Sequence, residues 1–137
     1  MNTITVKTMV HTPIETVWTY WTEPKHIIKW NNASDDWHTL KAENDLRVGG
    51  KFFSRMEAKD GSFGFDFKGI YTEIIPSKKI SYRIEDGRNV EVHFTQTQRG
   101  IHISETFEME NENSEYLQRK GWQAILDNFK RYIETIK

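Results

Sequence analysis

The chain has 137 residues, enough for one domain with a single real core. Its 19 basic and 20 acidic residues leave a formal charge of -1, which offers no electrostatic footprint for nucleic acid or an anionic membrane. Cysteine is absent, which removes disulfides, thiol nucleophiles and cysteine-ligated metals, while aromatic residues reach 13%.

The opening residues, MNTITVKTMV, hold neither a long apolar run nor a small-residue cleavage site. No signal peptide is read there, and a cytoplasmic location is expected. No stretch approaches the ~20 apolar residues of a membrane span, so no membrane insertion is expected. Ile4, Val6, Thr8 and Val10 alternate with Thr3, Thr5, Lys7 and Met9, which predicts a strand over 2–10. TPIE then predicts a helix start, with Thr12 as cap, Pro13 at the first helical position and Glu15 completing a capping box. This helix should run to about Trp21. Pro24 opens a second short helix, PKHIIKW, because proline disfavours helical geometry at Glu23 before it.

From Ser34 to Glu110 the pattern predicts strands over 35–42, 51–59, 62–75, 79–85, 88–98 and 101–110. Turns fall at VGG, KDGS, IPSK, EDGR and QRG. From about Ser114 a long helix is expected, since Trp122, Ile125, Leu126, Phe129, Ile133 and Ile136 recur at three- and four-residue spacing. Lys120, Gln123, Asp127, Lys130 and Glu134 fall largely on its other side.

The turns set registers. Asp60-Gly61 as a two-residue turn places Phe65 opposite Met56, Asp66 opposite Arg55 and Phe67 opposite Ser54. At EDGR, a three-residue loop with a left-handed Gly87 pairs Tyr82 with Val90 and keeps apolar faces matched. Arg99-Gly100 as a two-residue turn sets Phe94 opposite Glu105, Val92 opposite Phe107 and Gln96 opposite Ile103. One face of an antiparallel meander then carries Phe63, Phe65, Phe67, Ile80, Tyr82, Ile84, Val90, Val92, Phe94, Ile101, Ile103, Phe107 and Met109. The long helix is its cover, and a cylinder laid in a wide saddle leaves a gap.

The stretches TPIETVWTYWTEPKHIIKW, VGGKF, GIYTEIIP and GWQAILDNFKRYIE, in this order, resemble the activator of heat-shock-protein-90 ATPase homologues, within the START-like (SRPBCC) helix-grip superfamily. Thr12 stands where that family usually has alanine. The resemblance implies an α+β helix-grip fold: a curved seven-stranded antiparallel sheet wrapped around a long C-terminal helix, with two short helices after the first strand. It also implies a cavity between sheet and helix, and members of the superfamily bind lipids, hormones, polyketides or other apolar molecules. In the eukaryotic co-chaperone this domain follows a separate amino-terminal domain that makes the main chaperone contacts. A small hydrophobic molecule is therefore the first expected partner and a chaperone the second; no cofactor is implied, and the chain is expected as a monomer or homodimer.

Strand parity puts Glu105 between Ile103 and Phe107 on the apolar face, where an ionised carboxylate is costly unless paired or hydrated. It is read as a polar anchor for a ligand or an acid of raised pKa, against a structural carboxylate near a sheet edge. Gln96 is its expected polar partner, and Tyr82 a third polar tip in the wall. Trp18 and Trp21, four residues after Ile14 and Val17, should pack inward. Trp30 is placed at a cavity entrance and Trp122 on the cavity boundary. Phe65, Phe67, Val92, Phe94, Ile103, Phe107, Ile125 and Phe129 complete the expected lining. Entry is expected between the short helices, the EDGR and VGG loops and the end of the long helix.

The histidines carry no ligand spacing. His93 and His102 are expected on the outer face, with His102 opposite Thr97 and roughly 13 Å from His93, too far for zinc bonds of about 2 Å. Gly49-Gly50 lacks any phosphate-loop pattern, and Ser34, Asp35, Asp36 and His38 lack a nucleophile elbow. A non-enzymatic binding module is favoured over an interaction protein of the chaperone-regulator kind, and both over a cavity enzyme using Glu105.

Overall fold

Alternation of apolar and polar residues gives β1 (Thr3–Val10), whose Ile4, Val6 and Val10 are buried. The computed structural model describes residues 2–135; Ile136, assigned to the last helix from its spacing, lies outside them. α1 (Ile14–Thr22) and α2 (Pro24–Trp30) follow, then β2 (Trp37–Asn44), β3 (Lys51–Ala58), β4 (Gly64–Ile75), β5 (Lys79–Ile84), β6 (Asn89–Thr97), β7 (Gly100–Glu108) and α3 (Glu115–Thr135). The strands form one antiparallel sheet in the order β1-β7-β6-β5-β4-β3-β2, curled around α3 as the helix-grip fold requires. Register shifts in β2 near Leu40 and in β4 near Thr72 bend the sheet further.

Two hairpins have the expected register. Ser54, Arg55 and Met56 face Phe67, Asp66 and Phe65, and Arg55 bonds Asp66 at 3.1 Å. The β3–β4 loop is longer than a two-residue turn, closing with Ala58 N–H donating to Phe63 O at 2.9 Å, which keeps the same pairing. Phe63 consequently stands in this loop at 72% exposure and not on the apolar face. Tyr82 pairs with Val90, and Gly87 sits at φ 95° in the three-residue loop.

The β6–β7 hairpin differs. Thr97 pairs with Gly100, so the turn is Gln98-Arg99 and the register slides by two residues. Glu105 faces Val92, Phe107 faces Val90, and Gln96 faces Ile101. A slide of two preserves which face each side chain occupies. The reason lies outside the hairpin: a Cβ on Gly100 would sit 2.5 Å from Val10 O, so this glycine serves the close approach of β1. His102 accordingly faces Thr95, not Thr97.

The helix starts are simpler than their sequence suggests. α1 begins after Pro13, whose carbonyl accepts from Thr16 and Val17 N–H at 3.0 Å, and no side chain caps it, so the Thr12–Glu15 box is not formed. At α3 the Ser114 hydroxyl accepts from Leu117 N–H at 3.2 Å. The carbonyls at the ends of α1 and α2 need donors from outside, because no further helical turn supplies them. Asn44 donates to Thr22 O at 2.5 Å and Asn128 to Trp30 O at 2.9 Å.

α3 buries Leu126, Phe129 and Ile133. It packs along β1, while α2 packs along β2 at the opposite end of the sheet. Part of its polar side reaches the edge of the sheet. Arg119 donates to Thr5 O at 3.0 Å, and the Gln123 amide donates to Lys7 O at 3.0 Å and accepts from Lys7 N–H at 3.4 Å. Lys130 donates to Met9 O, and Glu134 accepts from His11 N–H at 3.2 Å. Side chains thus satisfy the open edge of β1, which would otherwise be a template for strand pairing.

Gln123→Ala removes both bonds to Lys7. It is expected to lower stability by roughly 1 kcal/mol and to speed hydrogen exchange at the Lys7 amide selectively, measured by NMR.

Candidate functional site

With α3 over the β1 end and α2 over the β2 end, the middle of the concave face is left unfilled. A cavity of about 310 Å³ opens there, at the lower end of the range for small-molecule sites. Its floor is aromatic. The Phe52 ring lies 4.8 Å from Tyr82, 5.4 Å from Tyr71 and 5.7 Å from Phe67, mostly edge-on or tilted. Trp122 and Ile125 of α3, with Trp21 of α1 and Ile27 and Trp30 of α2, form the roof. Ser54 and Asn31 add small polar groups, their side chains 3.4 Å apart.

Seven of the residues expected at the site line this space: Trp30, Phe65, Phe67, Tyr82, Glu105, Trp122 and Ile125. Phe65 is a rim residue at 46% exposure. Val92, Phe94, Ile103, Phe107 and Phe129 are core residues outside the lining. Aromatic neighbours cover several of them: Trp122 stacks on Phe107 at 4.0 Å and 11°, and Trp21 lies 5.6 Å from Phe94 and 4.9 Å from Phe129. Gln96 is exposed and lies four residues further along β6 than Val92, facing Ile101, so it is not the partner of Glu105.

Trp30 is a wall and not an exposed gate. It is 5% exposed, its indole N–H donates to Tyr20 O at 2.9 Å, and its ring packs 4.9 Å from Trp21 and 5.0 Å from Phe129. From the loops expected at the entrance, Arg88 of EDGR contributes to the lining and VGG does not. The α3 residues involved belong to its first half. Phe52 and Tyr71 also line the cavity, and the β3–β4 register puts both on the inward face beside Ser54 and Phe67.

Glu105 is 6% exposed, in the middle of regular β7, with Val6 of β1 on one side and Val92 of β6 on the other. Among the described residues nothing hydrogen-bonds its carboxyl, and burial alone pushes its pKa from 4.5 up to about 8. The group is therefore a neutral acid at neutral pH. Burial also pushes the Tyr82 phenol well above 10, helped by the nearby Glu105 charge and opposed by Arg88. Tyr71 is raised by burial while its hydroxyl donates to Asn44 Oδ1 at 2.5 Å. The Arg88 guanidinium is already engaged by Asp86 at 2.9 Å and Glu108 O at 3.2 Å.

Other candidate groups are not assembled into chemistry. Ser34 Oγ donates to Asp36 at 2.5 Å in a local turn, away from the cavity lining. His93 lies beside Glu91 on the outer face, and among the described residues no cluster of three metal-ligating side chains exists. No described helix is long and apolar enough to cross a membrane.

The Glu105 shift has a sign that can be measured. Below about pH 4.5 both folded and unfolded chains hold the proton, and stability is at its fullest. Between 4.5 and about 8 only the folded chain holds it, so stability falls as the pH rises through that window. The loss reaches roughly 4 to 5 kcal/mol above pH 8. Glu105→Gln is expected to remove this slope and to be more stable than the parent at pH 9, read from urea unfolding at pH 5 and pH 9. Parallel pH dependence in both proteins would contradict a buried neutral Glu105.

Comparison with known proteins agrees with this architecture. The family model described as Activator of Hsp90 ATPase homolog 1-like protein matches residues 11–134. The solution structure of an AHSA1-like protein from Aeromonas hydrophila is 44% identical, covering 98% of this chain and 93% of that one, with a TM-score of 0.92. A solution structure from Cytophaga hutchinsonii is 48% identical, covering 97% and 91%, with a TM-score of 0.81. A Chromobacterium violaceum protein, 24% identical over 98% and 99%, shares the fold with a TM-score of 0.87. No curated protein matches. The match over nearly the whole chain, on a sheet curled around its last helix, makes this protein a member of the Activator of Hsp90 ATPase homolog 1-like family.

Proposed function

We propose that the protein is a non-enzymatic binding module that holds a small hydrophobic molecule, such as a lipid, polyketide or aromatic compound, between the sheet and α3. The observation that carries this reading is the 310 Å³ cavity itself, walled by Trp21, Trp30, Phe52, Phe67 and Trp122 beside a buried hydrophobic core. Protein interiors normally close such space, because unfilled apolar volume forfeits dispersion contacts. Apolar walls with a few inward polar groups are the ordinary chemistry of ligand sites.

A second reading is an interaction module related to regulators of the chaperone ATPase. The family description favours it, as do exposed apolar side chains such as Phe63, Tyr116 and Leu117. Stimulation of the ATPase rate of heat-shock protein 90 on mixing would support that reading, and an unchanged rate would count against it.

For the binding reading, titration with the neutral dye N-phenyl-1-naphthylamine should give saturable shifts of the Trp30 and Trp122 indole N–H signals. Phe67→Trp, which fills part of the space, should weaken that binding about tenfold while leaving the fold intact. Silent spectra across a panel of lipids and aromatics would refute the reading.

A further inference from the structure

We propose that the cavity selects uncharged ligands carrying a hydrogen-bond-accepting oxygen, such as a ketone, quinone or ester carbonyl, and anchors that oxygen with the Glu105 carboxyl and the Tyr82 hydroxyl. This rests on the binding reading above and adds to it the polarity of the ligand.

Two polar side chains line the cavity without a hydrogen-bond partner among the described residues. Glu105 is more than nine-tenths buried, and its sheet neighbours on the inward face are Val6, Val92, Ile103 and Phe107, none of which can accept a proton. Tyr82 lies across β6 and one row along, since Ile80, Val92 and Glu105 form one row of the sheet and Tyr82, Val90 and Phe107 the next. Only Val90 and Val92 stand between the two on this face. Both side chains line the same cavity.

A buried acid without a counter-cation stays protonated, and a phenol in the same surroundings does too. Both groups are then donors in the wall of a largely aromatic space. A hydrocarbon of suitable size would strand both donors, and a carboxylate would bring an uncompensated charge beside them. A carbonyl oxygen accepts from two donors at once. A neutral carboxylic acid paired with a tyrosine is a known arrangement for holding a carbonyl or enolate oxygen. The volume of about 310 Å³ suits a body of about two or three rings.

The other titratable or charged groups of the lining are Tyr71 from β4, Arg88 from the β5–β6 loop, and Glu43 and Glu110; the helices contribute none. Tyr71 is committed to Asn44 and Arg88 to Asp86 and Glu108 O. Ionising Glu105 replaces its donor by a charge that repels the ligand oxygen, so carbonyl affinity should fall as the pH rises past about 8.

Fluorene and 9-fluorenone differ only in the carbonyl, and both are followed by quenching of tryptophan fluorescence. At pH 6.5 fluorenone should bind about tenfold more tightly than fluorene. Its carbonyl stretch should move to lower frequency on binding, read by infrared difference spectroscopy. Fluorene-9-carboxylate should bind more weakly than either. Glu105→Leu and Tyr82→Phe should each reduce the fluorenone preference while retaining fluorene binding, and the parent should lose the preference at pH 9.5. Equal affinities for the two molecules, or an unshifted carbonyl stretch, would overturn the proposal and leave the binding reading standing. Failure of both to bind, with a silent ligand panel, removes the binding reading and the proposal with it.

Discussion

The free edge of β1 is closed by α3, and the position of the empty space follows from that fastening. Alternate backbone groups from Thr5 of β1 to His11 just beyond it meet Arg119, Gln123, Lys130 and Glu134 along one side of the helix. A helix drawn to the edge in this way cannot also cover the middle of a seven-stranded saddle. α2, held to the far end by Thr39 Oγ1 donating to Asn31 O at 2.6 Å, covers the other side. What remains between them is bounded by rings, because only large flat side chains reach across such a span.

Those rings do two separate jobs. Trp18, Trp21, Trp30, Phe94 and Phe129 interlock at centroid distances of 4.9 to 5.7 Å and hold the short helices to the sheet. Phe52, Phe67, Tyr71 and Tyr82 instead stand on the sheet with one side toward open volume. Trp122 belongs to both groups, stacked on Phe107 and edge-on to Phe67 at 6.4 Å. Dehydration by these walls is what keeps Glu105 protonated, so packing, protonation state and ligand preference share one cause.

The fold was readable from the sequence because its signals are local. Period-two alternation fixes which face a residue occupies, and the Tyr82–Val90 register follows from the length of one loop. The site was readable only in part, since lining depends on what else covers a residue. Parity placed Phe107 and Glu105 on the same face, but Trp122 covers the first and leaves the second open. Nothing in the QRG turn shows that Gly100 is required by Val10, which is distant in sequence, so the turn residues alone place the β6–β7 pairing two residues from where it lies. With the pairing as it is, Gln96 faces Ile101 and not Glu105. The inward placing of Phe52 and Tyr71, by contrast, follows from the β3–β4 register.

The sheet and α3 bound a cavity with a protonated carboxyl in its wall. The direct measurement is a carbon-13 NMR titration of the glutamate side-chain carboxyls, with Glu105 assigned by its absence in Glu105→Gln. A Glu105 resonance that titrates near pH 8, far from the other glutamates, is the result this account predicts. A resonance titrating near 4.5 with the rest would show a hydrated, ionised carboxylate and contradict it.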